Sequence, residues 1–257
     1  MSAKTILITG ASGSIGRAIA LELAQTDNHL ILTWNANKDG VEDTAKLLEK
    51  RSVSTDLFQL NLEDQDQVSK FCNKIIKNAS PDILINNAAI AQKKAFLELS
   101  PNDWDNVLAV NLRAPFQLSQ SVIPGMQKKR WGRIVNISSI GGQWGGIHQV
   151  HYAASKAGLI NLTRSLAKLY SKDKIATTAI APGIIDTSAT KMTLTPQHLG
   201  INAESNQTED ELLAQIPCGR LGTSEEIAKA VKYLCSEEAE YLSGTTLNVN
   251  GGIYFNS

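Results

Sequence analysis

Short apolar runs alternate with longer amphipathic stretches along most of the chain. The apolar, β-prone runs typical of buried strands span residues 5–9, 29–34, 55–60, 83–85, 133–137, 175–181 and 246–249. Apolar residues repeat at helical spacing over residues 15–25, 41–50, 64–77, 150–169 and 224–234, and a long helix containing Asn111 continues past Pro115 to about Gln127. This alternation predicts an α/β protein: a single domain with a doubly wound parallel sheet, right-handed crossovers and helices on both faces, in three layers.

A glycine-rich turn joins the first predicted strand to the first predicted helix. Glycines stand at Gly10, Gly13 and Gly16, which is looser by one residue in the first gap than the strict G-x-G-x-x-G pattern. A strand, a glycine-rich turn and a helix place backbone N–H groups and a helix N-terminus against a pyrophosphate. We therefore expect a nucleotide site of the Rossmann type at this turn.

The end of the second strand bears on the choice of cofactor. Folds that bind NAD commonly place an Asp or Glu here, on the adenosine ribose. This chain has no carboxylate in residues 34–38, whereas Asn35, Asn37 and Lys38 could all donate to a 2′-phosphate. The residues favour NADP(H) over NAD(H), although the usual arginine is absent and Lys38 is equally a solvated residue at a helix start.

Ligands of doubly wound sheets bind beyond the carboxyl ends of the strands. The residues that follow the other predicted strands are Asn61-Leu62, Asn87-Ala88-Ala89, Ser138-Ser139 and Pro182-Gly183. A serine hydroxyl at the end of a central strand could hydrogen-bond a substrate carbonyl.

Tyr152 and Lys156 stand one turn apart on the same face of a predicted helix. An ammonium near a phenol favours the phenolate, so we expect the pKa of Tyr152 to lie below its ordinary value of about 10. Such a phenol could exchange a proton with a substrate oxygen. Asn111, in the preceding long helix, could bend that helix through hydrogen bonds to the backbone or hold a water molecule.

Composition narrows the function classes. The 257 residues include 25 basic and 25 acidic residues, so the basic excess of a nucleic-acid-binding surface is absent. No apolar run approaches the roughly 18 residues of a membrane span, and the first residues lack a signal-peptide pattern. We expect a soluble, cytoplasmic protein without membrane contact. Cys72, Cys218 and Cys235 lack metal-ligand spacing, so no metal site is expected.

Three further segments carry predictions. The long polar segment between Pro182 and Pro217, with Met192, Leu194 and Leu199, is interpreted as a lid over a site at about residues 185–216; the alternative is a disordered surface loop. The basic helix end at residues 127–133 could be solvated or could dock an acidic partner. The helix over residues 224–234 is expected to have Ser224 as its cap and two glutamates in its first turn.

Several motifs, in the order found here, resemble the classical short-chain dehydrogenases/reductases over essentially the whole chain. They are Thr9-Gly10-Ala11-Ser12-Gly13-Ser14-Ile15-Gly16, Asn86-Asn87-Ala88-Ala89, Asn111, Ser139, Tyr152-x-x-x-Lys156, Pro182-Gly183 and Thr187. Residues 216–222 and 247–252 look most like the 3-oxoacyl-[acyl-carrier-protein] reductase branch of that family.

The resemblance implies roles for individual residues. Tyr152 would be the general acid/base, and Ser139 would orient and polarise the carbonyl. Lys156 would bond the nicotinamide ribose and lower the pKa of Tyr152, while Asn111 would hold the water of a proton relay. The predicted cofactor contacts are Gly10, Ser12, Gly13, Ser14, Ile15, Gly16, Asn35, Lys38, Asn61, Leu62, Asn87, Ala88, Ala89, Tyr152, Lys156, Pro182, Gly183, Ile185 and Thr187.

Four features depart from the family pattern. Ser14 replaces the usual second glycine, Asn61 stands where an adenine-binding Asp is common, and Ala89 replaces a glycine. The predicted lid is longer than in the carrier-protein reductases. Of their two carrier-docking arginines, the first is matched by Arg130, whereas the second position falls on Asp173, between two lysines.

The expected function is that of an NADP(H)-dependent oxidoreductase that interconverts a ketone and a secondary alcohol. A 3-oxoacyl thioester is the leading substrate class, as in fatty acid biosynthesis, and an acyl carrier protein could dock near Arg130. A dehydrogenase of a polyol, sugar or other small alcohol is the alternative within the enzymes. A non-catalytic, cofactor-binding regulatory protein is the alternative of another class. The resemblance alone implies a homotetramer.

Overall fold

The computed structural model describes residues 3–187 and 208–255. Its strands are β1 (Thr5–Ile8), β2 (His29–Trp34), β3 (Ser54–Gln59), β4 (Ile83–Asn86), β5 (Gly132–Ile137), β6 (Ile175–Pro182) and β7 (Thr246–Val249). Its α-helices are α1 (Ser14–Glu22), α2 (Lys38–Glu49), α3 (Gln65–Asn78), α4 (Pro101–Leu108), α5 (Ala114–Lys129), α6 (Gly141–Trp144), α7 (Val150–Tyr170), α8 (Glu209–Leu213) and α9 (Ser224–Leu234).

The seven strands form one parallel sheet in the order β3-β2-β1-β4-β5-β6-β7. The chain first builds outward from β1 to β3 and then crosses back to place β4 on the other side of β1. This reversal makes a crevice beyond the carboxyl ends of β1 and β4, where ligands of doubly wound sheets bind. The predicted three-layer, Rossmann-type single domain is confirmed.

Each face of the sheet carries its own core. Ile6 and Ile8 of β1 pack on the face covered by α1, α2 and α9, whereas Leu7, between them, packs on the face covered by α3, α5 and α7. Successive side chains of a strand point to opposite faces, and both faces are covered here. This double burial is why central strands such as β1 and β4 are continuous apolar runs in the sequence, whereas the edge strand β3 is more polar and largely exposed.

The cap of α9 differs from the prediction. Thr223, not Ser224, is the N-cap: its hydroxyl accepts from the backbone N–H of Glu226, whose carboxylate accepts in turn from the backbone N–H of Thr223. This reciprocal capping box requires Glu at the third helical position, and that spacing selects Thr223. The side chain of Ser224 is buried instead.

The predicted long helix around Asn111 is divided into three parts. A π-helical turn at Ala109–Arg113 separates α4 from α5. A π turn adds one residue to a helical turn and is frequent at functional sites. The bend expected at Asn111 is therefore a change of helix type, centred on that residue.

Short helices occur in two segments that were predicted as loops, the one after β5 and the described end of the lid. The glycine-rich segment after β5 contains the short helix α6. Of the predicted lid, residues 188–207 lie outside the described residues, and the described part after them contains α8, which begins with a capping box at Thr208. The lid remains a prediction.

The described residues contain neither a membrane-spanning helix nor a metal-binding cluster. Within residues 3–187 and 208–255, no helix is long and apolar enough to cross a membrane. In the same part of the chain, no cluster of three or more His, Cys, Asp or Glu could hold a metal ion. The three cysteines are free, with Cys72 and Cys235 buried and Cys218 exposed.

Candidate active site

The glycine-rich turn lies against the loop that follows β4. A Cβ at Gly16 would press on the carbonyl oxygen of Gly10 and lie 2.8 Å from Asn87 Nδ2, so a side chain has no room there. Asn87 Nδ2 donates to the carbonyl oxygens of Thr9 (2.9 Å) and Gly10 (3.2 Å). Thr9 Oγ1 accepts from the backbone N–H groups of Asn87 and Ala88, each at 3.0 Å. These bonds fix the turn after β1 and the loop after β4 as the two walls of one crevice.

This crevice is a cavity of about 530 Å³. The predicted cofactor residues that line it are Gly10, Ser12, Gly13, Ser14, Ile15, Gly16, Asn35, Asn61, Leu62, Asn87, Ala88, Ala89 and Thr187. The cavity thus brings together residues that follow β1, β2, β3 and β4, with Thr187 from the segment after β6.

Some lining residues were not predicted, and some predicted residues lie elsewhere. The residues missed are Thr33, Trp34, Ala36, Leu60, Glu63, Ile90 and Val110. Most of them lie within a few residues of a predicted strand end, so counting more residues on either side of each strand end would have included them. Val110 belongs to the π turn, so no strand-end rule could find it. The predicted cofactor contacts that do not line the cavity are Lys38, Tyr152, Lys156, Pro182, Gly183 and Ile185.

The donors expected near the adenosine ribose have different surroundings. Asn37 is the N-cap of α2: its Oδ1 accepts from the Gly40 N–H at 3.0 Å, and its Nδ2 donates to the Ser12 carbonyl at 3.3 Å. Lys38 is exposed and pairs with Glu42 at 3.4 Å. Asn35 lines the cavity, and its side chain has no hydrogen-bond partner among the described residues. Asn35 is thus the amide of this segment that is available to a ligand.

Two departures from the family pattern fit the backbone as it stands. Ser14 is the first residue of α1, after Gly13 in an extended conformation, and it needs no positive φ. Asn61 Oδ1 accepts from the Glu63 N–H at 3.1 Å and so closes a turn at the cavity wall. Neither position requires the residue that is usual in the family.

Ser139, Tyr152 and Lys156 come together beyond the carboxyl end of β5. The Ser139 side chain is near enough to Tyr152 to act on the pKa of its phenol, and Lys156 Nζ lies 5.6 Å from the centre of the Tyr152 ring. The neighbouring Ser138 is buried and donates to the Lys156 carbonyl at 2.9 Å. Ser138 therefore anchors α7, whereas Ser139 faces the phenol.

A close backbone contact sets the position of Ser139. Gly142, in α6, packs directly on α7, and a Cβ there would lie 2.7 Å from the Lys156 carbonyl carbon and 2.8 Å from the Ala157 nitrogen. The segment that follows Ser139 can approach the helix of Tyr152 because residue 142 has no side chain.

The electrostatics of the pair differ from the prediction. Burial lowers the pKa of Lys156 to about 7, and its Nζ donates to the Ile137 carbonyl at 2.7 Å. Burial raises the pKa of Tyr152, and the hydrogen bond from Ser139 opposes that rise. The expected lowering of the Tyr152 pKa was wrong, because burial disfavours the charged phenolate, as it also disfavours the charged ammonium of Lys156.

Asn111 ties the helices to the loop after β4. Its side chain is fully buried, and it accepts from the Ile90 N–H at 2.9 Å and donates to the Ile90 carbonyl at 2.9 Å. Asn111 Nδ2 also lies 3.1 Å from Ser155 Oγ, which donates to the Tyr152 carbonyl at 2.7 Å. A continuous chain of hydrogen bonds therefore connects the π turn, the crevice wall and α7.

Asp103, which the sequence did not single out, holds the next part of that loop. Its carboxylate accepts from Lys94 Nζ at 2.6 Å and from Gln92 Nε2 at 3.0 Å. It also accepts from the backbone N–H and hydroxyl of Ser100, at the start of α4. These bonds keep the pKa of Asp103 well below its ordinary value. The carboxylate is the point where the loop is fastened to α4.

A crevice walled by a glycine-rich turn, beside a Ser, Tyr and Lys at the carboxyl edge of a parallel sheet, defines a Rossmann-type oxidoreductase. The chain belongs to the short-chain dehydrogenase/reductase family, and the family model described as Enoyl-(Acyl carrier protein) reductase matches residues 10–254. The resemblance inferred from the motifs is thereby confirmed.

Individual relatives are similar over nearly their whole length. The chain is 38% identical over 255 residues to 3-oxoacyl-[acyl-carrier-protein] reductase FabG of Aquifex aeolicus, covering 99% of this chain and 98% of that protein. It is 40% identical over 252 residues to FabG of Buchnera aphidicola, covering 98% and 97%. A crystal structure from Beutenbergia cavernae, assigned as an NAD(P)-dependent gluconate 5-dehydrogenase with bound NADP at low occupancy, matches with a TM-score of 0.88 and 31% identity, covering 98% and 97%.

Proposed function

We propose that the protein reduces a 3-oxoacyl thioester to the 3-hydroxyacyl thioester with NADPH. The observation that carries this proposal is the cluster of Ser139, Tyr152 and Lys156 beside the nucleotide-type crevice. The relatives named 3-oxoacyl-[acyl-carrier-protein] reductase support the substrate class, and the solved neighbour with bound NADP supports the cofactor.

The cofactor would occupy the crevice between the glycine-rich turn and the loop after β4. Gly16 lets the turn pack closely against Gly10 and Asn87, which would leave the N-terminus of α1 facing a pyrophosphate. Asn35 is placed to donate to a 2′-phosphate, and no Asp or Glu of residues 34–38 would repel one. We also propose cofactor contacts outside this cavity, at Lys38, Pro182, Gly183 and Ile185. When bound, the cofactor supplies the hydride.

The side chains of this chain position the carbonyl and move the proton. Ser139 donates a hydrogen bond to the substrate oxygen, and Tyr152 transfers its phenolic proton to that oxygen as negative charge develops there. Lys156, close to the phenol, stabilises the tyrosinate that is left. Asn111 keeps the crevice wall and α7 in register, and it is the proposed holder of the relay water.

The test combines two cofactors, one substrate and two variants. With acetoacetyl thioester, we expect NADPH to be consumed well ahead of NADH, followed by absorbance of the reduced nicotinamide. Tyr152→Phe should lower kcat at least about a hundredfold, as loss of a general acid does, while the affinity for NADPH changes little. Tyr241→Phe, at a fully exposed tyrosine, is the matched control and should retain full activity. Retained activity in Tyr152→Phe would refute the mechanism.

Whether the acyl group arrives on a carrier protein is a finer proposal. Arg130, at the end of α5, is exposed, and its Nη2 donates to the Lys172 carbonyl at 3.5 Å, so exposed basic residues of two segments adjoin. The Asp173 carboxylate, which would repel an acidic carrier, accepts a hydrogen bond from Gln127 Nε2 at 2.7 Å. This bond holds the carboxylate against α5. We propose carrier docking here, and a KM for acetoacetyl carrier protein below that for the small thioester would support it. The homotetramer stays a prediction.

A dehydrogenase of a polyol, sugar or other small alcohol is the second candidate. The assigned gluconate 5-dehydrogenase is the observation that favours it. A panel of such alcohols with NADP would distinguish the two substrate classes. Turnover of gluconate or another sugar acid, with none of acetoacetyl thioester, would select the second candidate.

A further inference from the structure

A second cavity, of about 320 Å³, lies at the opposite edge of the sheet from the crevice. Its wall includes Lys4, just before β1, Ile83, the first residue of β4, and Trp131, just before β5. These positions mark the amino edge of the sheet. The ends of α1 and α9 complete the wall, so no residue of the proposed catalytic site takes part.

The inner surface of this amino-edge cavity is apolar. Ile6, Leu23 and Ile83 line it, each less than a tenth exposed, and the rings of Trp131 and Tyr233 complete it nearer the surface. Ligand sites in proteins commonly combine such an apolar interior with a few polar groups, at volumes of roughly 300–1,000 Å³. The amino-edge cavity is at the small end of that range, which suits a ligand of roughly ten non-hydrogen atoms.

Two ammonium groups at the cavity form no salt bridge with any described residue. Lys4 Nζ stands over the Trp131 ring, 3.6 Å from its centre, and Lys4 forms no salt bridge with any described residue. Lys229 forms none either, within the same described part of the chain. Of the two glutamates one turn before it, Glu226 is held by Arg220 at 2.7 Å, and Glu225 is exposed. An anion at the cavity mouth would therefore meet two ammonium groups.

The carboxylates of the lining are already engaged. Glu22 pairs with Lys232 at 2.8 Å. Glu237 accepts from Trp131 Nε1 at 2.8 Å, and it lies 3.7 Å from the fully buried Arg133 guanidinium. Glu22 is thus neutralised by Lys232, and Glu237 shares the buried Arg133 guanidinium with Glu240. Lys4 and Lys229 are then the cations of the lining that have no salt bridge among the described residues.

We propose that the amino-edge cavity binds a small amphipathic anion, with an apolar body of medium-chain length and a single carboxylate. The apolar body would cover the surface formed by Ile6, Leu23 and Ile83, at about 25 cal/mol for each Å² removed from water. The carboxylate would lie at the mouth, between Lys4 and Lys229. This site is independent of the proposed function, since it shares no residue with the crevice.

Three probes of equal chain length separate the apolar and ionic contributions. Octanoate, octanol and octylammonium are titrated, below their aggregation thresholds, into the full chain without an N-terminal tag, and binding is followed by calorimetry. We expect octanoate to bind most tightly, octanol next and octylammonium least. Equal affinities, tightest binding of octylammonium, or no binding of octanoate would overturn the proposal.

Substitutions then place the binding in this cavity. The double variant Lys4→Gln, Lys229→Gln should bind octanoate about fivefold more weakly, as expected for the loss of two partly solvated ion pairs, and octanol as before. Lys168→Gln, at an exposed residue of α7 on the other face of the sheet, is the matched control and should leave both affinities unchanged. An unchanged octanoate affinity in the double variant would refute the site. Because the double variant leaves the proposed catalytic residues unaltered, this result does not depend on whether the proposed function is correct.

Discussion

Replacing Lys156 by Met should change how stability depends on pH. The side chain is 2% exposed, and its Nζ donates to one carbonyl, that of Ile137, at 2.7 Å. Burial lowers the pKa of Lys156 to about 7, whereas in the unfolded chain a lysine titrates near 10.4. The folded protein therefore binds fewer protons at this residue than the unfolded chain does, over the interval between the two values.

The sign and size follow from proton linkage. Where the unfolded state binds more protons, stability rises with pH, here from about pH 7 toward pH 10. The slope approaches about 1.4 kcal/mol for each pH unit, so Lys156 should add roughly 2 kcal/mol of stability between pH 7 and pH 9. Methionine has similar length and no charge, so Lys156→Met lacks this pH dependence.

The assay is denaturant unfolding of ligand-free protein at several pH values between 6 and 9, at one protein concentration. We expect the variant to be more stable relative to the wild type at low pH, and the difference to shrink by roughly 2 kcal/mol as pH rises. Lys168→Met, at an exposed residue of the same helix, should follow the wild-type curve. If the difference between Lys156→Met and the wild type stays constant over this range, the desolvated lysine is refuted.

Two other substitutions test how the site is positioned. Gly142→Ala places a Cβ 2.7 Å from the Lys156 carbonyl carbon, so the segment after Ser139 must move. In steady-state assays we expect kcat to fall at least about tenfold, while the KM for cofactor changes little. An unchanged kcat would contradict this reasoning. Asp103→Asn weakens the hold on Lys94 and should lower Tm by about 2–4 °C in a melting experiment, whereas the exposed Asp105→Asn should leave it unchanged.

The fold could be predicted closely because its signals are local. The central strands of a sheet covered on both faces are continuous apolar runs, and the crossover helices repeat their apolar residues at a period near 3.6. Predicted and observed strands agree within one or two residues, from β1 at Thr5–Ile8 to β7 at Thr246–Val249. The strand-end rule then located most of the crevice, because parallel strands end at one edge.

Features that depend on three-dimensional packing could not be predicted from local sequence patterns. The amino-edge cavity is built from Lys4, Trp131 and Lys229, which lie far apart in sequence and carry no motif. Asp103 has the local signature of a helix start, and only the structure shows that its carboxylate also holds the loop at Gln92 and Lys94. The N-cap of α9 could have been predicted from the sequence, since Thr223 followed three residues later by Glu226 is the capping-box pattern.

The relation between Tyr152 and Lys156 shows why spacing alone gave the wrong sign for a pKa. One helical turn places the two groups close together, but both are also withdrawn from water, and desolvation penalises the phenolate and the ammonium alike. Near neutral pH Tyr152 is therefore the protonated phenol. The proposed reduction needs this form, because the phenol must have a proton to give to the carbonyl oxygen, whereas oxidation of an alcohol by the same residue would first require the phenol to lose its proton.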